Sequence, residues 1–363
     1  MLLTAITFFI LLSVLVLVHE LGHFLAARLI GVHVDEFGFG LPPRIIGKKI
    51  RGTIYSLNWL PIGGFVRLLG EDEEDNQPHG SIKNKKQYFW ARSKKERIFI
   101  LLAGVAMNFL FAVGITTILL TWGVIEPTET VRVERVVVGS PAEAVGILPG
   151  DIVRTLTVME TGGVKDIAIT NPDILIASVK AHAGQMVLVS LIRDGQPLKL
   201  NAIPRTNPPE GEGALGIAIS NLEKHIYPWW EAPPRAFVIT GERLFFMVKS
   251  LGAILFKLVT GGRIESGAVA GPVGIAQATS IAVKYGLETI LEFAGILSLN
   301  LTLVNVIPFP ALDGGRIAFV VFEKLGRKAR PDIERTIHQI GMMFLLGLLL
   351  LITLSDIMRI VRG

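Results

Sequence analysis

Apolar positions along this chain follow two patterns. Four stretches are apolar on every side for about the twenty residues that a helix needs to cross a bilayer; the remainder alternates or mixes. The four cover about 2–29, 98–124, 288–320 and 337–358. The third is the least regular. Asn300 and Asn305 interrupt it, and Pro308 and Pro310 break it, so it reads as a helix over 288–306 with a continuation to about 320. Residues 2–18 carry no charge. The run lacks the basic start and the small-x-small cleavage site of a secretory signal, so it is read as a retained span.

Between these stretches the patterning changes. Residues 36–70 are rich in Gly and β-formers, as in Pro61-Ile-Gly-Gly-Phe-Val66, and predict hairpin strands with tight turns. Open strand edges are not tolerated facing lipid, so this region is expected to pack on the helices or line a polar cavity. An acidic and then polar loop follows over 71–84. Residues 128–206 resemble a water-soluble domain, with β-forming runs at 131–138 and 186–193, a short helix at 174–181 and an Asp194-Gly195 hairpin turn. Residues 206–213, rich in Pro, Gly and Glu, read as a linker. Over 234–261 the charges Arg235, Glu242, Arg243, Lys249 and Lys257 recur every seven or eight residues, the stripe of a helix lying in the membrane interface.

Composition agrees with a membrane protein. Of 363 residues, 50% are hydrophobic and only 18% charged, a combination that soluble domains rarely show. With no cysteine, a disulfide frame and a Cys-ligated metal are both excluded. The net charge of +5 is no nucleic-acid signature; what matters is where the cations fall. Arg44, Lys48, Lys49, Arg51, Lys83, Lys85, Lys86, Arg92, Lys94, Lys95 and Arg97 lie between the first two spans, and Lys324, Arg327, Lys328, Arg330 and Arg335 between the last two. Both loops should be cytoplasmic. The long middle region then lies outside, and the ends of the first and third spans reach similar depth.

The candidate chemistry sits at that depth. His19-Glu20-Leu21-Gly22-His23 lies within the first span. Two imidazoles four residues apart share a helix face and can hold one zinc ion, and the carboxylate beside the first can act as base toward water on that metal. A polar cluster at membrane depth is expensive and marks function. A catalytic zinc needs a third protein ligand and an open position; the candidate is Asp313, in Asn305-Val-Ile-Pro-Phe-Pro-Ala-Leu-Asp-Gly-Gly315. Asn305 could bind a substrate backbone or the developing oxyanion, or serve an interhelical hydrogen bond. Asn108 carries the same two readings, and the structural one is preferred. His33, His79, His182, His225 and His338 stand alone and read as ordinary surface histidines. These residues predict a protease that cuts within the membrane.

HELGH in a first span and NxxPxPxLDGG in a later one resemble the site-2 protease family of intramembrane zinc metalloproteases, in its bacterial RseP-type (regulator of sigma-E protease) form. Three further segments follow the family's order: Pro61–Val66 resembles its PxGG segment, Ala103–Phe109 its AGPxxNF segment with Val105 in place of the proline, and Gly271–Ile275 its GPxGI element. Residues 139–152 resemble the SPAxxAGLxxGD turn of PDZ domains; one such domain fits here, where relatives often carry two, and 160–166 lacks the usual Asn-Gly turn.

The resemblance implies a polytopic α-helical membrane protein of about four transmembrane helices, with a membrane re-entrant β-hairpin and an inserted extracytoplasmic PDZ-like α+β domain. Its expected divisions are 1–127 and 286–363 for the two halves of the protease core, 128–206 for the PDZ-like domain, and 207–285 for a linker with the interfacial helix. It further implies zinc on His19, His23 and Asp313, Glu20 as general base and Asn305 in substrate binding. Expected partners are membrane lipid and single-span membrane proteins, of anti-sigma-factor or signal-peptide-remnant type, and no nucleic acid. The expected location is the bacterial cytoplasmic (inner) membrane. The alternative is a catalytically silent membrane scaffold that binds clients through its PDZ-like domain; a structural zinc, however, normally has four protein ligands, and three good ones are found.

Overall fold

The structure, a computed structural model, describes residues 1–71, 85–160, 163–262, 270–323 and 331–362. Most of the expected acidic loop, with His79 and Lys83, lies outside the described residues, as do Lys324, Arg327, Lys328 and Arg330. In chain order the elements are α1 (Leu2–Ile30), β1 (Val34–Ile50), β2 (Thr53–Leu68), α2 (Lys94–Trp122), β3 (Val124–Val136), α3 (Pro141–Ala144), β4 (Ile152–Glu160), β5 (Gly163–Ala168), α4 (Pro172–Ala181), β6 (Val187–Arg193), β7 (Gln196–Ala202), β8 (Ile217–His225), α5 (Ala232–Val259), α6 (Pro272–Tyr285), α7 (Leu287–Val306), α8 (Asp313–Phe322) and α9 (Pro331–Arg362). They form two compact units, Met1–Thr121 with Tyr227–Gly363, and Trp122–Ile226.

In the first unit, α1, α2, α7 and residues Arg335–Arg359 of α9 are long and apolar enough to cross a membrane, among the described residues. The chain is a membrane protein with four candidate spans. Helix α1 ends at Gly31, whose left-handed backbone turns its N–H back to the carbonyls of Ala27 and Arg28. Helix α2 starts with a capping box: the Ser93 hydroxyl accepts the Glu96 N–H at 3.3 Å, and the Glu96 carboxylate accepts the Ser93 N–H at 2.9 Å. The two helices touch backbone to backbone, since a Cβ on Gly22 would overlap the carbonyl of Ala103. Small residues that permit such approach drive helix association where hydrophobic exclusion gives little.

The third apolar stretch divides as expected, into α7 and α8 around Ile307–Leu312. Helix α5 carries the expected charges, but its other positions are not all free. Phe237 meets Phe109 of α2 edge-on, and the Thr240 hydroxyl reaches Thr116 at 3.3 Å. Helix α6 has no counterpart in the sequence reading, because its Gly271-Pro-Val-Gly start lacks a capping side chain. The cap comes from another helix: buried Asp356 of α9 accepts the N–H groups of Gly271 and Gly274 at 3.0 and 2.8 Å. A carboxylate there also faces the positive end of the helix dipole.

Strands β1 and β2 are long and bent. Four extended runs lie side by side in the order 64–67, 36–39, 54–57 and 46–49, as the pairs Gly38↔Phe65, Gly38↔Ser56 and Gly47↔Ser56 record. Arg51 and Gly52, both at positive φ, make the two-residue turn between them. The run 64–67 is an edge and lies against α1, where a Cβ on Gly64 would come within 3.8 Å of the Glu20 side chain.

The second unit is a sheet in the order β7-β6-β4-β3-β8, with β5 on the free length of β4. Its core holds Val131, Val153, Leu156, Val187 and Leu191, each at most 2% exposed. The compact unit exceeds the expected 128–206. Strand β8, placed by the sequence reading between linker and helix, pairs with β3 from Val124↔His225 to Val136↔Ile217. Its pattern is only partly buried, so nothing local marks it. Asp194-Gly195 turns β6 into β7 at positive φ, as expected.

Asp151 anchors this unit. Its side chain is 1% exposed and accepts both Nε and Nη2 of Arg193 at 2.7 Å, with the Leu148 N–H at 2.9 Å. Burial raises this carboxyl; the Arg193 guanidinium and the Leu148 N–H outweigh that and bring it below the ordinary range. A carboxyl depressed on folding contributes stability above its unfolded pKa of about 3.9 and loses it as pH falls through the folded value. Asp151→Asn should therefore cost about 2 kcal/mol at neutral pH, read as faster amide exchange in β4 and β6 of the full-length protein. The gap from wild type should narrow once pH drops below about 4. A gap that stayed constant into acid would contradict the role of the charge.

Candidate metal centre

The elements above bring three of the expected residues to one point. His19 and His23 lie one turn apart on α1, both buried, with ring planes at 85°. Asp313 is the first residue of α8 and faces them. His19 Nε2 stands 3.1 Å from His23 Nε2 and 2.9 Å from Asp313 Oδ2, and His23 Nε2 is 3.3 Å from the same oxygen. Among the described residues these three form the group whose ligand atoms could hold one metal ion.

Hydrogen bonding indicates what that point requires. His23 Nδ1 is 2.9 Å from the carbonyl oxygen of Ile100. A carbonyl only accepts, so Nδ1 carries a proton, and in its neutral form this ring would turn a bare Nε2 lone pair inward. Asp313 Oδ2 is buried and, among the described residues, accepts no hydrogen bond. Lone pairs crowded at about 3 Å repel unless a cation lies among them. Ligand atoms about 2.0 Å from a tetrahedral ion stand roughly 3.3 Å apart, which the observed separations approach. The donor set, two imidazoles and one carboxylate, is that of a divalent zinc-type site with an open fourth position.

Close backbone contacts build the frame. A Cβ at Gly104 would overlap His23 Nε2 and press on the His19 ring, so α2 clears the space in which the imidazoles meet. After α7 the chain is extended at Ile307, and Ala311 is held at φ 78°, a conformation costly for a residue with a Cβ. Gly314 and Gly315 lie against the carbonyls of Ile307 and Phe309, and Gly341 of α9 against Pro310. Any side chain there would push α8, and Asp313 with it, away from α1.

The other expected residues flank this point. Glu20 Oε2 accepts the Val66 N–H of the edge run at 3.1 Å, which leaves Oε1 for other work. Glu20 lines a polar cavity of about 370 Å³ with His23, Val66, Asp313, Glu71 and Arg316, and Glu71 and Arg316 pair across it. Asn305 lines a second cavity of about 240 Å³ with Val16, His19, Glu20, Leu301 and Asp313. Glu20 and Asp313 border both.

Two residues prove closer to the centre than the sequence reading held. His338 is no ordinary surface histidine: its Nδ1 accepts the Ala311 N–H at 2.9 Å, holding the strained turn before Asp313. Asn108, given an interhelical role, places its carboxamide 3.3 Å from His19 Nδ1. No local pattern marks His338, and the AGPxxNF-like segment that contains Asn108 does not reveal its partner, since each partner lies 27 or more residues away. His33 and His182 do stand apart, near Asp35 at 3.5 Å and the Ser178 carbonyl at 2.9 Å.

Comparison with known proteins adds an independent line. The family model described as Peptidase family M50 matches residues 7–348. The CPE1693 protein of Clostridium perfringens is 33% identical over 347 residues, covering 95% of this chain and 96% of its own length. Zinc metalloprotease RasP of Shouchella clausii is 28% identical over 440 residues, covering 98% and 99%. Zinc metalloprotease RasP of Oceanobacillus iheyensis is 26% identical over 434 residues, with the same coverage.

The frame is testable at one atom. Gly104→Ala should drive a methyl group into the imidazoles and remove most of the divalent metal that copurifies with the protein, as measured by elemental analysis. Gly114→Ala, on the same helix but where a methyl group would meet no atom within 4 Å, should retain it. Equal metal content in the two variants would refute the crowding at Gly104.

Proposed function

The chain belongs to peptidase family M50, and we propose that it is an intramembrane zinc metalloprotease that hydrolyses peptide bonds within the transmembrane segments of single-span proteins. The convergence of His19, His23 and Asp313 beside Glu20, among helices apolar enough to cross a bilayer, carries the reading.

His19, His23 and Asp313 would hold zinc, which supplies Lewis acidity that brings a water towards deprotonation at neutral pH and polarises a carbonyl. Glu20 does the proton work. With Oε2 engaged by the Val66 N–H, Oε1 takes the proton of the attacking water and returns it to the amine nitrogen as the peptide bond breaks. Asn305, across the second cavity, donates its side-chain N–H to the substrate carbonyl oxygen and steadies the charge that develops there. A helical substrate engages its carbonyls in its own hydrogen bonds, so it must unwind first. The edge run 64–67 can receive the unwound segment by strand addition.

The finer reading follows the resemblance. The β1–β2 region serves as the membrane re-entrant hairpin, unit Trp122–Ile226 as the extracytoplasmic PDZ-like domain, and the basic loops face the cytoplasm of a bacterial inner membrane. Anti-sigma factors and signal-peptide remnants are the substrate classes.

The test is cleavage of a tagged single-span substrate by the purified protein in liposomes. Glu20→Gln should retain zinc and lower the rate on the order of 10²–10⁴-fold, and a chelator should abolish cleavage reversibly. A substrate span with Gly or Pro should be cut faster than a rigid helix-forming one. Cleavage untouched by Glu20→Gln would sink the assignment of the base; tightly held zinc without cleavage of any span would favour the scaffold.

A further inference from the structure

The metal centre needs both imidazoles in one tautomer, and only one of them has its partner settled. His23 donates Nδ1–H to the Ile100 carbonyl. His19 Nδ1 faces the Asn108 carboxamide, with the amide nitrogen 3.3 Å away. In that orientation a neutral His19 must accept at Nδ1 and carry its proton on Nε2, aimed at His23 Nε2 and Asp313 Oδ2, where it would block a metal. The same orientation leaves Asn108 Oδ1 buried without a hydrogen-bond partner among the described residues. Asn108 is 0% exposed, so bulk water does not relieve it, and an orphaned buried acceptor costs about 1–3 kcal/mol.

One rotation resolves both faults. The two ends of a carboxamide have the same shape and are assigned by the hydrogen bonds they make. Turning the amide by half a revolution brings Oδ1 to His19 Nδ1, gives the orphan a donor and frees His19 Nε2 as a lone pair. We propose that Asn108 is the positioning residue of the centre: its carboxamide oxygen accepts His19 Nδ1–H and holds His19 in the metal-binding tautomer.

The placement on α2 supports this. Ile100, Gly104 and Asn108 stand at i, i+4 and i+8, one stripe of the helix. Ile100 serves His23, Gly104 gives both rings room, and Asn108 serves His19. The stripe matches the i, i+4 spacing of the two imidazoles on α1. The Ser298 hydroxyl of α7 donates to the Asn108 backbone carbonyl at 2.8 Å, which pins the turn while leaving the side chain to His19. Such outer partners of metal-bound histidines typically account for 10–100-fold in metal affinity.

The role rests on zinc being held by His19, His23 and Asp313, and the experiment separates the two. Zinc affinity is measured on full-length protein in detergent by chelator competition, with the visible absorption of the cobalt-loaded protein as a second readout. Asn108→Leu should weaken zinc about 10–100-fold and alter the cobalt bands. Asn108→Asp, which keeps an acceptor in place, should hold zinc at least as tightly as wild type. Ser298→Ala, which loses only the tie between α2 and α7, should leave the affinity unchanged. Asn108→Ala stands in if the leucine variant does not fold, with thermal unfolding of the metal-free proteins as the check on structure. Wild-type affinity in the leucine or alanine variant, or an aspartate variant as weak as they are, overturns the role of Asn108. A wild type that binds no zinc, or a His19→Ala variant that binds it equally well, overturns the ligand set instead.

Discussion

Three electron-pair donors within about 3 Å of one another, inside a bundle of apolar helices, form the constraint around which this protein is arranged. Such a cluster is repulsive without a cation and expensive without water. The surroundings therefore act to keep it from relaxing. Gly22 and Gly104 bring α1 and α2 into backbone contact, the Ile100 carbonyl fixes one ring, and the turn at Ile307–Leu312 presses Asp313 inward. Much of the local glycine usage follows from this need for close approach.

How much of this can be read from the sequence depends on the range of the interaction. HELGH and Leu312-Asp-Gly-Gly315 are legible because imidazoles at i and i+4 share a helix face and a turn demands glycine. The four spans are legible because a bilayer selects length and apolarity over a continuous window. The hairpin at Asp194-Gly195 is legible because its two residues alone determine its twist. What escapes is set by distant partners. Strand β8 exists through pairing with β3, some 90 residues earlier. Helix α6 is capped by Asp356, 82 and 85 residues away from the amides it receives. His338 looks idle until the chain places it against Ala311, and Asn108 reads as an interhelical tie whose partner, His19, only the fold reveals.

The division of the chain into two units separates two kinds of stability. Unit Trp122–Ile226 is held as soluble domains are, by an aliphatic core and an ion pair between buried Asp151 and partly exposed Arg193. The other unit exposes large apolar side chains along α1, α5 and α9 and concentrates its polar contacts inside, around His19, Asn108 and Asp356. In hydrocarbon the backbone bonds of its helices are strengthened, and a missing internal partner is penalised more than in water. Its specificity of packing therefore resides in a few polar atoms and a few glycines.

The contact between Gly22 and Ala103–Gly104 bears on which parts of this chain can be exchanged separately. Because the two backbones meet with no room for a methyl group, α1 and α2 form one interlocking part. A graft that imported α1 from a relative without its α2 would bring together surfaces that had not changed in step. Side chains can be exchanged freely on the outer faces of α5 and α9, while along this seam the backbone itself is the fitted surface.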